Sequence, residues 1–234
     1  MSAKKNVLVV LTSHNQLGGT GKPTGWYLPE FAHPYYELEP HVNFTIASPR
    51  GGNAPLDPAS VEAFKQDDMC SKFLEDKKEL WEKTEMLFKF LGKADQFDAV
   101  FYVGGHGPMY DLANDGTSIA IIKEFYEKGK IVSAVCHGPA VFKGVTLASG
   151  EHLLHGQPVT GFSNDEEDAV GLSNVMPFML ETELKAKGGV YEKADQPWGA
   201  KVSVARGGKL ITGNLIFIPP QLKCLTFTSA SHGD

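Results

Sequence analysis

Short apolar runs recur along the chain and are separated by segments of helix length. The runs read NVLVVLTS, VNFTIAS, FDAVFYVGG, KIVSAVC and PVTGF, and they occupy residues 6–13, 42–48, 97–105, 130–136 and 158–162. Several are apolar throughout rather than alternating, which is typical of strands that are covered on both faces. The pattern therefore predicts five strands of a mostly parallel sheet.

Two segments between the runs have the spacing of amphipathic helices. The first stripe lies within residues 76–93 and consists of Leu80, Thr84, Leu87, Phe88 and Leu91. The second consists of Ile119, Ile122 and Phe125, and Gly129 follows it as a suitable C-cap. Strands that alternate with helices favour an α/β fold, with a parallel sheet and helices on both faces.

Composition narrows the class of protein further. The chain has 234 residues and a net charge of −6, which argues against nucleic acid or an anionic membrane as the main partner. Three widely spaced cysteines predict no disulfide framework and favour the reducing cytoplasm, with the nucleus left open. The apolar run VLVVL is too short for a signal-peptide core, and no stretch approaches a membrane span. Without repeats or long linkers, one compact domain is predicted over residues 1–234.

Three of the predicted strands run into unusual residues. GGHG follows the third strand, CHGP follows the fourth and SNDEED follows the fifth, at residues 104–107, 136–139 and 163–168. The carboxyl ends of parallel strands meet at one edge of a sheet, where ligands commonly bind. These three segments are therefore expected to converge.

Cys136 is the first candidate for chemistry at that edge. A helix would begin near Gly138 and Pro139, and its dipole would stabilise the Cys136 thiolate. An isolated cysteine is more often an inert core residue, but the neighbouring His137 favours a nucleophile here. Adjacent side chains rarely hydrogen-bond each other, so a third group should orient His137. The candidates are Asp165, Glu166, Glu167 and Asp168, although a solvated acidic helix start explains the same run.

Two further segments allow both a functional and a structural interpretation. The glycines of residues 104–107 suit either a tight turn or an oxyanion hole facing Cys136. Glu30 lies among aromatic residues in TGWYLPEFAHPYYEL, where burial would raise its pKa or require a partner. The alternative is an exposed glutamate on an amphipathic helix.

These segments together resemble the ThiJ/PfpI superfamily, and within it the branch of glutathione-independent glyoxalases (glyoxalase III) and heat-shock chaperones. The similar stretches include TGWYLPEFAHP, GGHGPMYDL, AVCHGPA, VTGFSNDEE and LITGN. The resemblance implies a flavodoxin-like three-layer sandwich in which a nucleophilic cysteine occupies an elbow after a strand. The catalytic residues that it implies are Cys136, His137, Glu30 and Glu167, with Glu166 as an alternative to Glu167. Gly104, Gly105 and His106 match the turn on the oxyanion side.

The same resemblance implies an activity. Members of the branch convert methylglyoxal and water to D-lactate without glutathione or another cofactor, which is a lyase reaction of the D-lactate dehydratase type. The implied substrates are small 2-oxoaldehydes such as methylglyoxal and glyoxal. Cys136 would form a hemithioacetal that rearranges through an enediol, and either Glu30 or His137 would carry the proton. A homodimer and unfolded client proteins are implied as partners.

Several other functions fit parts of the sequence. A chaperone would use an exposed apolar patch rather than Cys136. A cysteine hydrolase, either a peptidase or a protein deglycase, would use the same thiol, whereas a glutaminase would require a synthase domain that the chain lacks. His152 and His155 are spaced as a helical metal-ligand pair, but no third ligand accompanies them, so no metal is predicted.

The C-terminal segment departs from the family pattern. From Asn214 the chain reads NLIFIPPQLKCLTFTSASHGD, where the family continues with Q-N-P-x-S and a final helix. Two prolines and a Ser/Thr-rich end disfavour a helix. Residues 214–234 are therefore predicted to form a divergent tail whose Ile-Phe-Ile run promotes aggregation, and its Cys224 has no assigned role.

Overall fold

The structure is a computed structural model that describes residues 3–214. Apart from Asn214, the predicted divergent tail lies outside the described residues. No helix within residues 3–214 is long and apolar enough to cross a membrane.

Among residues 3–214, seven strands form one sheet and two shorter strands pair apart from it. In chain order the strands are β1 (Lys5–Val10), β2 (Val42–Ser48), β3 (Glu85–Met86), β4 (Ala99–Tyr102), β5 (Ile131–Val135), β6 (Pro158–Val159), β7 (Val190–Tyr191), β8 (Val202–Ala205) and β9 (Leu210–Gly213). The order in the large sheet is β3-β2-β1-β4-β5-β9-β8, and all neighbouring pairs are parallel except β8 with β9. The strand order reverses between β1 and β4, which creates the crevice where α/β proteins commonly bind ligands.

Helices cover both faces of this sheet. In chain order the α-helices are α1 (Pro29–Leu38), α2 (Pro58–Ala63), α3 (Asp68–Asp76), α4 (Glu79–Glu82), α5 (Gly116–Glu127), α6 (Asn164–Ala169) and α7 (Leu180–Ala186). Alternate residues of β1 point to opposite faces, so Leu8 and Val10 join a core with α5 and α7, whereas Val7 and Val9 join a core with α1 and α3. The predicted three-layer α/β fold is confirmed.

Four of the five predicted strands belong to the large sheet, as β1, β2, β4 and β5. The prediction for residues 158–162 was wrong in its partner and length, because only Pro158–Val159 is a strand and it pairs with β7 in the separate sheet. The chain then turns away, and the Phe162 N–H donates a hydrogen bond to the carbonyl oxygen of Cys136 at 2.9 Å. This contact keeps the following acidic segment beside the end of β5.

The second predicted helix is confirmed as α5, whereas the helix predicted within residues 76–93 was wrong. That segment contains the short α4, then β3, then a 3₁₀ helix over Leu87–Phe90. The backbone of Thr84 exchanges hydrogen bonds with Gly52 instead of with its own helix, and β3 pairs with β2. Phe88 and Leu91 are consequently 56% and 43% exposed, so tertiary pairing overrode the helical spacing.

Candidate active site

Cys136 occupies a strained turn directly after β5. Its φ of 57° lies in the left-handed region, which costs a residue with a side chain roughly 1–2 kcal/mol. Two backbone hydrogen bonds hold it there: its N–H donates to Gly213 at 2.9 Å, and its carbonyl accepts from Phe162 at 2.9 Å. The chain continues into a 3₁₀ helix, Gly138–Gly144, instead of the α-helix that the sequence predicted. Strain retained by surrounding contacts is common at functional sites.

The turn brings the side chains of Cys136 and His137 together. Nδ1 of His137 lies 3.4 Å from the Cys136 sulfur, although adjacent residues were not expected to contact each other in this way. The left-handed conformation of Cys136 reverses the chain locally, and this accounts for the difference. Cys136 is 8% exposed and His137 is buried, so both side chains are largely shielded from solvent.

Glu167 is the acidic residue that the structure places against His137. Its Oε2 lies 2.6 Å from His137 Nε2. Glu166, the alternative from the sequence, turns back to form a capping box with Ser163 at the start of α6. Asp165 pairs with Lys193 and Asp168 contacts Ser173, so neither reaches the imidazole.

The pKa values in this pair favour a neutral imidazole beside a carboxylate. Burial lowers the pKa of His137 to about 4, and His106 acts in the same direction while Glu167 opposes it. Burial acts to raise the pKa of Glu167, yet hydrogen bonds from His106 and His137 bring it down to about 2. Because the ionised carboxylate accepts the Nε2 proton of neutral His137, the lone pair of Nδ1 faces the thiol.

Glu30 approaches the thiol through a hydrogen bond. It lies in the first turn of α1, is only 3% exposed and hydrogen-bonds the Cys136 thiol. The N–H of Gly104 donates to its Oε2 at 2.9 Å. Burial raises the pKa of Glu30 to about 8, against the opposing effect of these two hydrogen bonds. The alternative of an exposed surface glutamate is therefore excluded.

Gly104 and Gly105 fill places that a side chain would obstruct. A Cβ on Gly104 would lie 2.6 Å from Glu30 Oε2 and 2.9 Å from the Cys136 Cβ. Gly105 has a φ of 82°, a conformation that side chains rarely adopt, and its N–H is directed at the Cys136 sulfur together with the N–H of His137. Two backbone donors near a reacting sulfur can also stabilise an oxyanion on the carbon that the sulfur attacks.

Glu30 and Cys136 compete for one proton. Burial raises the pKa of Cys136, and the negative charge of ionised Glu30 raises it further. When Glu30 is protonated, that negative charge is absent, and the N–H groups of Gly105 and His137 favour the thiolate. A carboxyl group with a pKa of about 8 is protonated at neutral pH, so the arrangement can hold a thiolate beside a carboxylic acid.

His106 occupies a position that the sequence did not predict. It was assigned to the oxyanion side of the turn, but its Nε2 lies 3.1 Å from Glu167 Oε1. One carboxylate therefore contacts two imidazoles, whose ring centres lie 4.3 Å apart. The ring of Phe162, which the sequence also left without a role, packs 4.4 Å from His137, and Trp198 packs on Phe162.

Two groups of side chains among the described residues have metal-ligand geometry. One consists of His106, His137 and Glu167, and the other of His33, Asp67 and Cys70. The pair considered from sequence is engaged differently, because His152 contacts the Lys143 carbonyl through Nε2 and accepts the Leu154 N–H at Nδ1.

Together, the fold and the site define a class of protein. It is an α/β sandwich with a buried cysteine, histidine and glutamate at the end of one strand, and a second glutamate forms a hydrogen bond with the thiol. The DJ-1/PfpI family pattern matches residues 89–214, and the chain belongs to this family. The resemblance predicted from the sequence is thereby confirmed.

Two yeast proteins are similar to this chain over most of its length. Glyoxalase 3 of Candida albicans is 30% identical, with 88% of this chain and 90% of that protein covered. The glutathione-independent glyoxalase HSP31 of Saccharomyces cerevisiae is 28% identical, with coverage of 90% and 92%. Among solved structures, the Rapid Encystment Protein of 24 kDa from Francisella tularensis superposes with a TM-score of 0.84 at 36% identity, covering 91% of this chain and 92% of the other.

Proposed function

We propose that the protein is a glutathione-independent glyoxalase that converts methylglyoxal and water to D-lactate. The observation that carries the proposal is a buried thiol that lies between a carboxyl group with a pKa of about 8 and a neutral imidazole. The names of the Candida and Saccharomyces relatives support the same activity. The D configuration of the product comes from the family resemblance.

The first step is addition of the Cys136 sulfur to the aldehyde carbon, C1. The Cys136 thiolate forms the carbon–sulfur bond, the proton held by Glu30 moves to the aldehyde oxygen, and the product is a hemithioacetal beside an ionised Glu30. Nδ1 of the neutral His137 imidazole lies 3.4 Å from the sulfur, and Glu167 holds the ring in this orientation through Nε2. The N–H groups of Gly105 and His137 stabilise the negative oxygen before it is protonated.

The second step moves a proton from C1 to C2. Ionised Glu30 removes the C1 proton while the C2 oxygen takes up a proton, which gives an enediol. The proton then returns from Glu30 to C2 as the C1 hydroxyl loses its proton, which gives a lactoyl thioester without an external oxidant or reductant. We assign this transfer to Glu30 rather than to His137. A group with a pKa of about 8 exchanges a proton readily near neutral pH, whereas a group with a pKa of about 4 stays deprotonated. Water then hydrolyses the thioester to lactate and regenerates the thiol.

To test the proposal, the purified protein is freed of small-molecule thiols and incubated with methylglyoxal in the absence of glutathione. The product is then analysed on a chiral column. We expect methylglyoxal to disappear and D-lactate to appear in equal amounts. Consumption of methylglyoxal without lactate would indicate simple adduct formation and would contradict a glyoxalase. The same chromatogram shows whether the product is the D or the L enantiomer.

Glu167 and Glu166 offer a matched pair of variants. Glu167→Gln is expected to lower kcat/KM by about 10²–10⁴-fold, because the amide no longer fixes the tautomer and orientation of the His137 imidazole. Glu166→Gln is expected to lower kcat/KM much less, because the hydrogen bonds that it disturbs, with Ser163 and Trp198, do not involve the imidazole. Initial rates of lactate formation for both variants check the assignment, and the reverse order of effects would place the acidic residue at Glu166.

A small aldehyde is the proposed substrate, and a cytoplasmic location agrees with it. A homodimer and unfolded client proteins rest on the family resemblance. The exposed apolar side chains of Met86, Phe88 and Leu91, beside the edge strand β3, support the proposal of a client-binding surface.

A further inference from the structure

A second cysteine, histidine and carboxylate meet between α1 and α3, on the face of the sheet that these two helices cover. His33 lies in α1, Asp67 is the N-cap of α3, and Cys70 lies in the first turn of α3. We call these three residues the α1–α3 cluster. A single ring nitrogen, His33 Nε2, lies 3.1 Å and 3.2 Å from the two Asp67 oxygens and 3.8 Å from the Cys70 sulfur.

We infer that the α1–α3 cluster is a binding site for Zn²⁺, with Cys70, His33 and Asp67 as ligands and water in the fourth position. Tetrahedral zinc with bonds of about 2.3 Å to sulfur and about 2.0–2.2 Å to nitrogen and oxygen puts sulfur about 3.6 Å from nitrogen and nitrogen about 3.4 Å from oxygen. The distances in the cluster, 3.8 Å and 3.1 Å, already lie close to these values. All three ligand atoms lie within 4.8 Å of one another, so one ion can contact them after small side-chain shifts.

The composition of the cluster selects zinc among common cations. One sulfur, one imidazole nitrogen and one carboxylate oxygen suit a borderline ion, whereas Mg²⁺ and Ca²⁺ prefer oxygen ligands only. Asp67 Oδ1 accepts the backbone N–H of Cys70 at 2.8 Å, so Oδ2 is the oxygen that can turn to the ion. The side chains of His33 and Asp67 are 19% and 29% exposed while Cys70 is buried, which leaves a solvent side for entry and for the water ligand.

The charges of the ligands also favour a cation. Asp67 supplies a carboxylate, and zinc would displace the proton of the Cys70 thiol to solvent, so that a thiolate and a carboxylate face the ion.

An ion bound in the α1–α3 cluster would also affect how α1 is held against α3. His33 lies one turn after Glu30 in α1, and Phe31 of α1 packs against Phe73 of α3 with ring centres 5.1 Å apart. An ion that joins His33 to α3 would fix α1, and with it the helix turn that carries Glu30. Because zinc binds only the folded arrangement, it should also raise the melting temperature.

The full-length, metal-stripped protein is titrated with Co²⁺ as a spectroscopic probe and with Zn²⁺ as a competitor. We expect one Co²⁺ per chain with thiolate-to-cobalt charge-transfer absorption, which Zn²⁺ abolishes. Cys70→Ala is expected to lose this absorption, and His33→Gln to weaken zinc binding by at least about tenfold. Cys136→Ala is the control, because it removes the thiol that lies beside the cluster of His106, His137 and Glu167. This variant should retain the absorption.

Three results would overturn the inference. They are the absence of binding in the wild type, charge-transfer absorption that survives Cys70→Ala, and absorption that disappears in Cys136→Ala. If Cys70→Ala fails to fold, His33→Gln carries the test alone, because its side chain is partly exposed. An unchanged zinc affinity in that variant would then contradict the site. None of these readouts depends on enzymatic activity.

Discussion

Cys136→Ala is expected to abolish D-lactate formation from methylglyoxal, with a loss in kcat on the order of 10⁴-fold or more. Without the sulfur no hemithioacetal forms, and Glu30 and His137 have no bound intermediate on which to act. The measurement is the initial rate of lactate formation without glutathione, beside a thermal melt of the same preparation. The melt should remain cooperative, because removing one sulfur leaves both backbone hydrogen bonds of residue 136 in place.

Cys136→Ser is the matched control for this variant. Serine keeps a hydrogen-bonding side chain of similar size beside Glu30, but its hydroxyl is a far weaker nucleophile than a thiolate. We therefore expect it to be as inactive as the alanine variant. Activity within about tenfold of wild type in either folded variant would mean that another group attacks the substrate.

Glu30→Gln is expected to lower kcat by about 10²–10⁴-fold while preserving the fold. Glutamine reproduces the protonated carboxyl group, since its oxygen can accept the Gly104 N–H and its NH₂ can donate to the Cys136 sulfur. It cannot carry a proton from C1 to C2. Stopped-flow or steady-state lactate assays measure the loss, and Glu39→Gln, at the other end of α1, serves as the unaffected control.

The same variant has an expected effect on stability that depends on pH. Glu30 has a pKa near 8 in the folded protein and near its ordinary value of about 4.5 when unfolded, so the folded state holds the proton more tightly. The wild type therefore loses stability as pH rises from about 4.5 through 8, because a buried carboxylate must become charged. Glu30→Gln should lack this loss and unfold at a higher temperature than wild type at pH 9. If the melting temperatures of the two proteins changed with pH in parallel, the pKa of Glu30 would be close to its ordinary value in the folded state, which would contradict the prediction.

The sequence predicted most of the sheet because its central strands are buried on both faces. β1, β2, β4 and β5 are covered by helices on both faces over most of their length, so they contain continuous apolar runs that are easily read. β3, β8 and β9 were missed because the first is two residues long and the others lie at or beside an edge. The stripe from Leu80 to Leu91 predicted a helix, but pairing of Thr84 with Gly52 could not be read from local spacing.

The sequence predicted the site where strand ends and motifs coincide, and it left alternatives open where the choice depends on side-chain direction. Glu166 and Glu167 are adjacent, and only the capping box formed by Glu166 leaves Glu167 to face His137. The contact of His106 with Glu167 likewise requires two loops to meet in space. The α1–α3 cluster joins His33 to Cys70 across 37 positions of the chain, a separation that no local pattern shows.

The central claim is that Cys136 makes this protein a glyoxalase without glutathione, and one titration tests it most directly. Wild-type protein, freed of small thiols, is alkylated in steps, and the fraction of modified Cys136 from peptide mass spectra is plotted against the rate of D-lactate formation from methylglyoxal. We predict a straight line that reaches zero rate at complete modification of Cys136. D-lactate formation that persists with Cys136 fully alkylated, or that is absent before any alkylation, would contradict the claim.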